Sequence, residues 1–76
     1  MNNISSLESV QYCVNLTELY IRNNKISNLD EVFYLKNLKK LKILWLADNP
    51  AALNNNYRLT VIRNLNNLQK LDNISI

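Results

Sequence analysis

The sequence predicts an α/β solenoid, with short parallel strands on a concave side, helices or 3₁₀ turns on a convex side, and a helix capping the C-terminal end. Three observations carry this expectation. The run LKILWLADN over residues 41–49 places Leu41, Leu44, Leu46 and Asn49 in the frame L-x-x-L-x-L-x-x-N. Twenty-five residues earlier, Leu16, Leu19, Ile21 and Asn24 fill the same slots. A degenerate third copy begins at Leu68, with Leu71 in its second slot.

The residue types fit the frame for physical reasons. Leu-x-Leu alternation is the period-two pattern of a strand with one buried face. An asparagine where the chain leaves the strand can bond neighbouring loop backbone, and repeated asparagines form a ladder that satisfies buried peptide groups. One such run also occurs in amphipathic helices, whereas two copies in register, each ending in Asn, define a leucine-rich repeat.

Taken in order, the elements form one domain with a partial first repeat over 1–15, a repeat over 16–40, a repeat with cap helix over 41–67, and a closing strand over 68–76. Ile4, Leu7, Val10 and Cys13 match Ile26, Leu29, Val32 and Leu35 at a shift of twenty-two. The chain is therefore expected to open in the convex half of a repeat, with Asn2 or Asn3 as remnant of an asparagine slot. A short helix or 3₁₀ turn is expected over 5–13, with Ser5 or Ser6 as cap. Cys13 falls in an apolar slot, which predicts a buried thiol. The convex side of the next repeat is longer by three residues, about one helical turn, and predicts a helix over 29–36. Ser27 or Asn28 caps it, and Asp30 and Glu31 suit its first turn. Pro50 ends the passage off the second strand because it offers no donor. Tyr57, Val61, Ile62 and Leu65 then fall at helical spacing and predict a helix over 56–64. Leu68 and Leu71 follow as the closing strand.

In the strand frame the leucines point inward and their neighbours point outward. The outward residues are Glu18, Tyr20 and Arg22 in the first strand, Ile43, Trp45 and Ala47 in the second, and Lys70 and Asp72 in the third. Stacking in register predicts the rows Glu18–Ile43–Lys70, Tyr20–Trp45–Asp72 and Arg22–Ala47. A cluster of exposed apolar residues marks a partner surface, and Tyr, Trp and Arg dominate interface energetics. These eight residues are the candidate protein-binding face, with Tyr20 and Trp45 as anchors. The plainer alternatives are that Trp45 merely covers the sheet or that a segment outside these residues packs there.

Other chemistry finds little support. The sequence has no histidine and no glycine, which removes His-based triads and Gly-rich phosphate loops. Asp48, Asp72 and Glu18 are dispersed, and no nucleophile–base or metal constellation exists. No enzyme activity and no cofactor are expected. Four of the nine basic residues crowd into Lys36, Lys39, Lys40 and Lys42, read as a solvated helix face in preference to a patch for acidic partners or RNA. Tyr57–Arg58 offers a phosphate contact, but the preferred reading is that Tyr57 packs under the cap helix. A lone cysteine makes no internal disulfide, and no apolar run resembles a signal peptide or is long enough to span a membrane. A cytoplasmic or nuclear location follows, with no membrane insertion. Sequons at Asn3, Asn15 and Asn73 are expected by chance among fifteen asparagines.

The segment from Asn49 to Asp72, with Asn49, Pro50, Tyr57, Arg58, Val61, Ile62, Leu65, Leu68 and Leu71 between its ends, resembles the C-terminal cap of SDS-type leucine-rich repeats. That cap is shared by ciliary repeat proteins, the spliceosomal A-prime protein of the U2 particle and a dynein light chain. FYLK (33–36), LWLADNP (44–50) and YRLTVIRNLNNLQKLDN (57–73) are more specific and resemble the cilia- and flagella-associated members, over nearly the whole chain. That resemblance implies a non-enzymatic adaptor at the base of the cilium or flagellum, the basal body. Its implied partner is a NIMA-related kinase or a basal-body protein. The alternative functions are a U2 A-prime-like ribonucleoprotein assembly protein, with no direct nucleic-acid contact expected, and a phosphatase-regulating repeat protein. Members of the resembled family start earlier and continue into a helical oligomerisation segment. Neither part lies in these 76 residues, so the sequence reads as a fragment or a reduced form, and self-association does not carry over with the resemblance.

Overall fold

Parallel pairing of successive repeats sets the architecture. The computed structural model describes residues 3–76. One sheet runs in the order β1 (Glu18–Tyr20), β2 (Ile43–Trp45), β3 (Lys70–Leu71) and β4 (Ile74–Ser75). β1–β2 and β2–β3 are parallel, with Leu19, Leu44 and Leu71 aligned across the three strands. Between β1 and β2 the chain returns through a 3₁₀ segment, Leu29–Leu35, and between β2 and β3 through a 3₁₀ turn, Pro50–Leu53, and helix α1, Tyr57–Asn64. A 3₁₀ segment over Glu8–Tyr12 precedes β1. The core is a sheet of aliphatic side chains between strands and crossovers, among them Leu7, Ile26, Val32, Leu35, Leu44, Leu46, Val61 and Leu71.

The convex segments divide by the spacing of their apolar residues. Ile26, Leu29, Val32, Leu35, Leu38 and Leu41 recur every third residue, and a helix with three residues per turn keeps such a row on one line. Leu29–Leu35 is accordingly 3₁₀, not the α-helix that its added length predicts. The Asn28 side chain caps it by accepting from the Asp30 N–H at 2.9 Å, as expected. Tyr57, Val61 and Leu65 recur every fourth residue, and there the chain is α-helical. The short turn at Pro50–Leu53 has no signal in the apolar spacing. Its proline sits at the first helical position, where a missing N–H costs nothing.

Two asparagines stitch the repeats. Asn49 Nδ2 donates to the carbonyls of Leu46 and Ala47 in its own repeat and of Ile21 in the one before, and its Oδ1 accepts from Ile26 N–H at 3.0 Å. Asn24 repeats the pattern one turn earlier, donating to Ile21 and Arg22 carbonyls and accepting from Ile4 N–H at 3.0 Å. The equivalent bonds made by Ile4 and Ile26 place residues 4–13 in the convex half of a repeat. Assignment of Asn2 to the earlier asparagine slot falls outside the described residues.

Two local expectations are corrected. Cys13 is exposed, although its counterpart Leu35 is buried. Leu35 is wrapped by neighbours on both sides, whereas no described element packs over Cys13 from the N-terminal side. The closing strand is also not continuous. Asp72 and Asn73 both adopt left-handed backbone (φ 53° and 65°), conformations that Asp and Asn tolerate. Two such residues in succession make a tight hairpin loop, so the chain folds back as β4, antiparallel to β3 with Leu71 opposite Ile74.

Candidate protein-binding face

The strand register assembles most of the predicted face. Glu18, Ile43 and Lys70 align across β1, β2 and β3, and Tyr20 lies beside Trp45. The Tyr20 and Trp45 rings are 6.5 Å apart between centroids and inclined by 48°, a favourable tilted pair. Arg22 extends past the end of β1 and lays its guanidinium over Trp45, with Cζ 5.5 Å from the ring centroid, within cation–π range. Tyr20 is 59% exposed despite this packing, while Trp45, Ile43 and Ala47 are half-buried and Lys70 is exposed.

The charges around the aromatics are held by local bonds. Tyr20 Oη donates to Glu18 Oε1 at 2.6 Å, and this carboxylate pushes the phenol's pKa up from its ordinary value. Arg22 Nε donates to Asp48 Oδ2 at 2.8 Å across the repeat boundary. Asp48 takes part because its left-handed backbone (φ 61°) turns the chain off the end of β2. By sequence Asp48 is one of several dispersed acids. Its position directly before the ladder asparagine, where each repeat turns, is the signal that would have located it. The arrangement fixes the orientation of Arg22 from two sides and leaves an aromatic and aliphatic centre with its rim charges largely satisfied.

Asp72 departs from the predicted row. Its Oδ1 accepts from Leu46 N–H at 2.7 Å and Ala47 N–H at 2.9 Å, and its Oδ2 accepts from Tyr57 Oη at 2.6 Å. Beyond Leu71 the chain turns instead of extending the strand. The carboxylate takes the place of a further strand by capping backbone donors beyond the end of β2. Burial, followed by the bond to Asp72, drives the Tyr57 pKa far above its ordinary value. Arg58 Nη2 donates to the Ser75 carbonyl at 3.4 Å, so Tyr57 and Arg58 both serve the cap. Among the described residues no group of three His, Cys, Asp or Glu side chains is placed to hold a metal, and no helix is long and apolar enough to cross a membrane.

The comparisons agree with this geometry. The family model for leucine-rich repeats in two copies matches residues 14–52. The chain is 51% identical over 78 aligned positions to cilia- and flagella-associated protein 410 of Mus musculus, covering all of this chain and 31% of that protein. The Homo sapiens protein of the same name is also 51% identical over 78 positions, with 30% of it covered. The chain thus spans about a third of the length of these relatives. Among solved structures, the leucine-rich-repeat domain of Mex67 from Chaetomium thermophilum superposes with a TM-score of 0.86 at 24% identity, over 97% of this chain and 52% of that one. That likeness concerns the fold. With the repeat model matched over half its length and the strand register and asparagine ladder in place, the chain belongs to the leucine-rich-repeat family, close to cilia- and flagella-associated protein 410.

Proposed function

We propose that the chain is a non-enzymatic protein-interaction module that binds a partner protein through its concave face. Tyr20 and Trp45 are the anchors, Ile43 and Ala47 extend the apolar centre, and Glu18, Arg22 and Lys70 form the charged rim. The observation that carries the reading is the exposed Tyr20 ring paired with Trp45, which itself lies beneath the Arg22 guanidinium. Aromatic and arginine side chains held in place lose little entropy on binding and so contribute strongly at interfaces. Asp72 is left out of the face because its carboxylate is committed to backbone and Tyr57.

The 51% identity to a cilia- and flagella-associated protein supports a place for the module at the base of the cilium or flagellum. There it would act as an adaptor for a basal-body protein or a NIMA-related kinase. Affinity capture from cells at a flagellated stage tests this, comparing wild-type bait with a Tyr20→Ala, Trp45→Ala double variant. Basal-body proteins or a kinase captured by the wild type and lost from the variant are the expected result. Splicing-particle proteins in their place would favour the ribonucleoprotein alternative. Undiminished capture by the double variant would remove the concave face from the reading.

A further inference from the structure

The basic residues that the sequence groups as one helix face do not share a helix. Lys36 caps the 3₁₀ segment Leu29–Leu35, Lys39 and Lys40 lie in the turn that follows, and Lys42 immediately precedes β2. The next repeat stacks its own turn against this one, with Asn67 Nδ2 donating to the Lys39 carbonyl at 2.7 Å and Gln69 N–H to the Lys42 carbonyl at 2.7 Å. Arg63, in the last turn of α1, directly precedes Asn64, which lines the same cleft as Lys36 and Lys39. Five of the nine basic residues therefore gather at the end where the strands begin, and all five are exposed.

The acids lie elsewhere. Glu8, Asp30 and Glu31 sit where the convex 3₁₀ segments start, and Asp48 and Asp72 lie past the strand ends. Glu18, at the start of β1, faces the concave side and is bonded to Tyr20. Among the described residues the single ion pair is Arg22–Asp48, so none of these five cations has a carboxylate partner. Between the two stacked turns lies a cleft of about 110 Å³, flanked by Lys36 and Lys39 and by Asn64, Asn66 and Asn67, with Leu38 and Leu65 at its floor.

From this placement we propose a second docking site, for a glutamate- or aspartate-rich segment of a protein partner. Unpaired lysines around a narrow cleft favour carboxylates, asparagine amides offer hydrogen bonds to a peptide, and the leucine floor suits the methylenes of an acidic side chain. The cleft has no aromatic lining, so it lacks the stacking platform that single-stranded nucleic acid uses. The C-terminal end of α1 also opens here and is weakly unfavourable to anions, and Arg63 opposes it.

The test is titration of the 76-residue chain with a synthetic oligoglutamate peptide, read by amide chemical shifts and calorimetry. Shifts should map to residues 36–42 and 64–67, and binding should weaken steeply with salt. Lys36→Glu with Lys39→Glu should lower affinity about tenfold or more. Lys25→Glu with Arg58→Glu makes the same change in net charge away from both the cleft and the concave face and should stay within about twofold. Equal losses in the two double variants would reduce the effect to net charge and overturn the site. No binding, or tighter binding of a single-stranded oligonucleotide of matched charge, would overturn it as well.

Discussion

The repeats over 16–24 and 41–49 carry the same frame and meet different fates. In the inner repeat Leu41, Leu44 and Leu46 are all buried, with Leu44 and Leu46 at 0% exposure. In the outer one Ile21 is buried, but Leu16 and Leu19 are only partly so. Asn49 reaches back to the Ile21 carbonyl of the preceding repeat, while Asn24 donates only to Ile21 and Arg22 of its own. The frame decides which way each side chain points. Neighbours on both sides decide how much that direction is worth, as expected where each repeat contacts only those next to it.

The sharpest way to break this comparison is at the matched leucines. Leu44→Ala should cost about 2–5 kcal/mol by creating a cavity in a fully buried site, a large share of what a core of this size supplies. Leu19→Ala, at the aligned position, should cost less than half as much. Urea denaturation of the two variants measures the difference, and equal losses would mean that an outer repeat is as well supported as an inner one.

The ladder offers a second test of somewhat smaller size. Asn49→Ala strands the Ile26 N–H and the Leu46 carbonyl in the interior, at about 1–3 kcal/mol for each group left unsatisfied. Asn24→Ala should cost less, because Ile4 is exposed and water can reach its freed N–H. Chemical denaturation of the pair reads this directly.

Closure of the solenoid can be probed at Tyr57. Removing the bond to Asp72 in Tyr57→Phe should cost about 1 kcal/mol. The pH dependence sharpens the point. The folded-state pKa of Tyr57 is raised, so its stabilisation is fully present below the unfolded pKa of about 10 and is lost as pH rises above that value. Wild-type stability should therefore fall more steeply than that of Tyr57→Phe in alkaline solution. Parallel slopes would show that Tyr57 titrates alike in both states.

The smallest effect belongs to the surface. Asp48→Asn keeps a residue that tolerates left-handed backbone and removes the Arg22–Asp48 pair, whose side chains are 58% and 56% exposed. It should change stability by under about 0.5 kcal/mol. A substantial loss on denaturation would give the concave rim a structural role and weaken its reading as a binding surface.

Much of the fold was legible because the chain repeats itself. Leucine slots, terminal asparagines and the strand register follow from spacing alone, and with them the neighbouring places of Glu18, Ile43 and Lys70 and of Tyr20 and Trp45. The period of three along Ile26, Leu29, Val32 and Leu35 also encoded a 3₁₀ segment, although counting added residues pointed to an α-helix. Spacing cannot show which slots a neighbouring turn covers. Cys13 has the sequence of a buried slot yet is exposed, with no covering element among the described residues, and Asp72 has the sequence of a surface position on a strand that has already turned.

The sequence by itself determined the repeat, the direction of each side chain within it and the ladder, because these depend on residues close along the chain. Tertiary structure decided what lies against what between repeats. It brought Asp48 to Arg22 and Asp72 to Tyr57, and stacked Lys39 beside Asn67. These contacts depend on how successive turns of unequal length stack, and no single repeat contains that information.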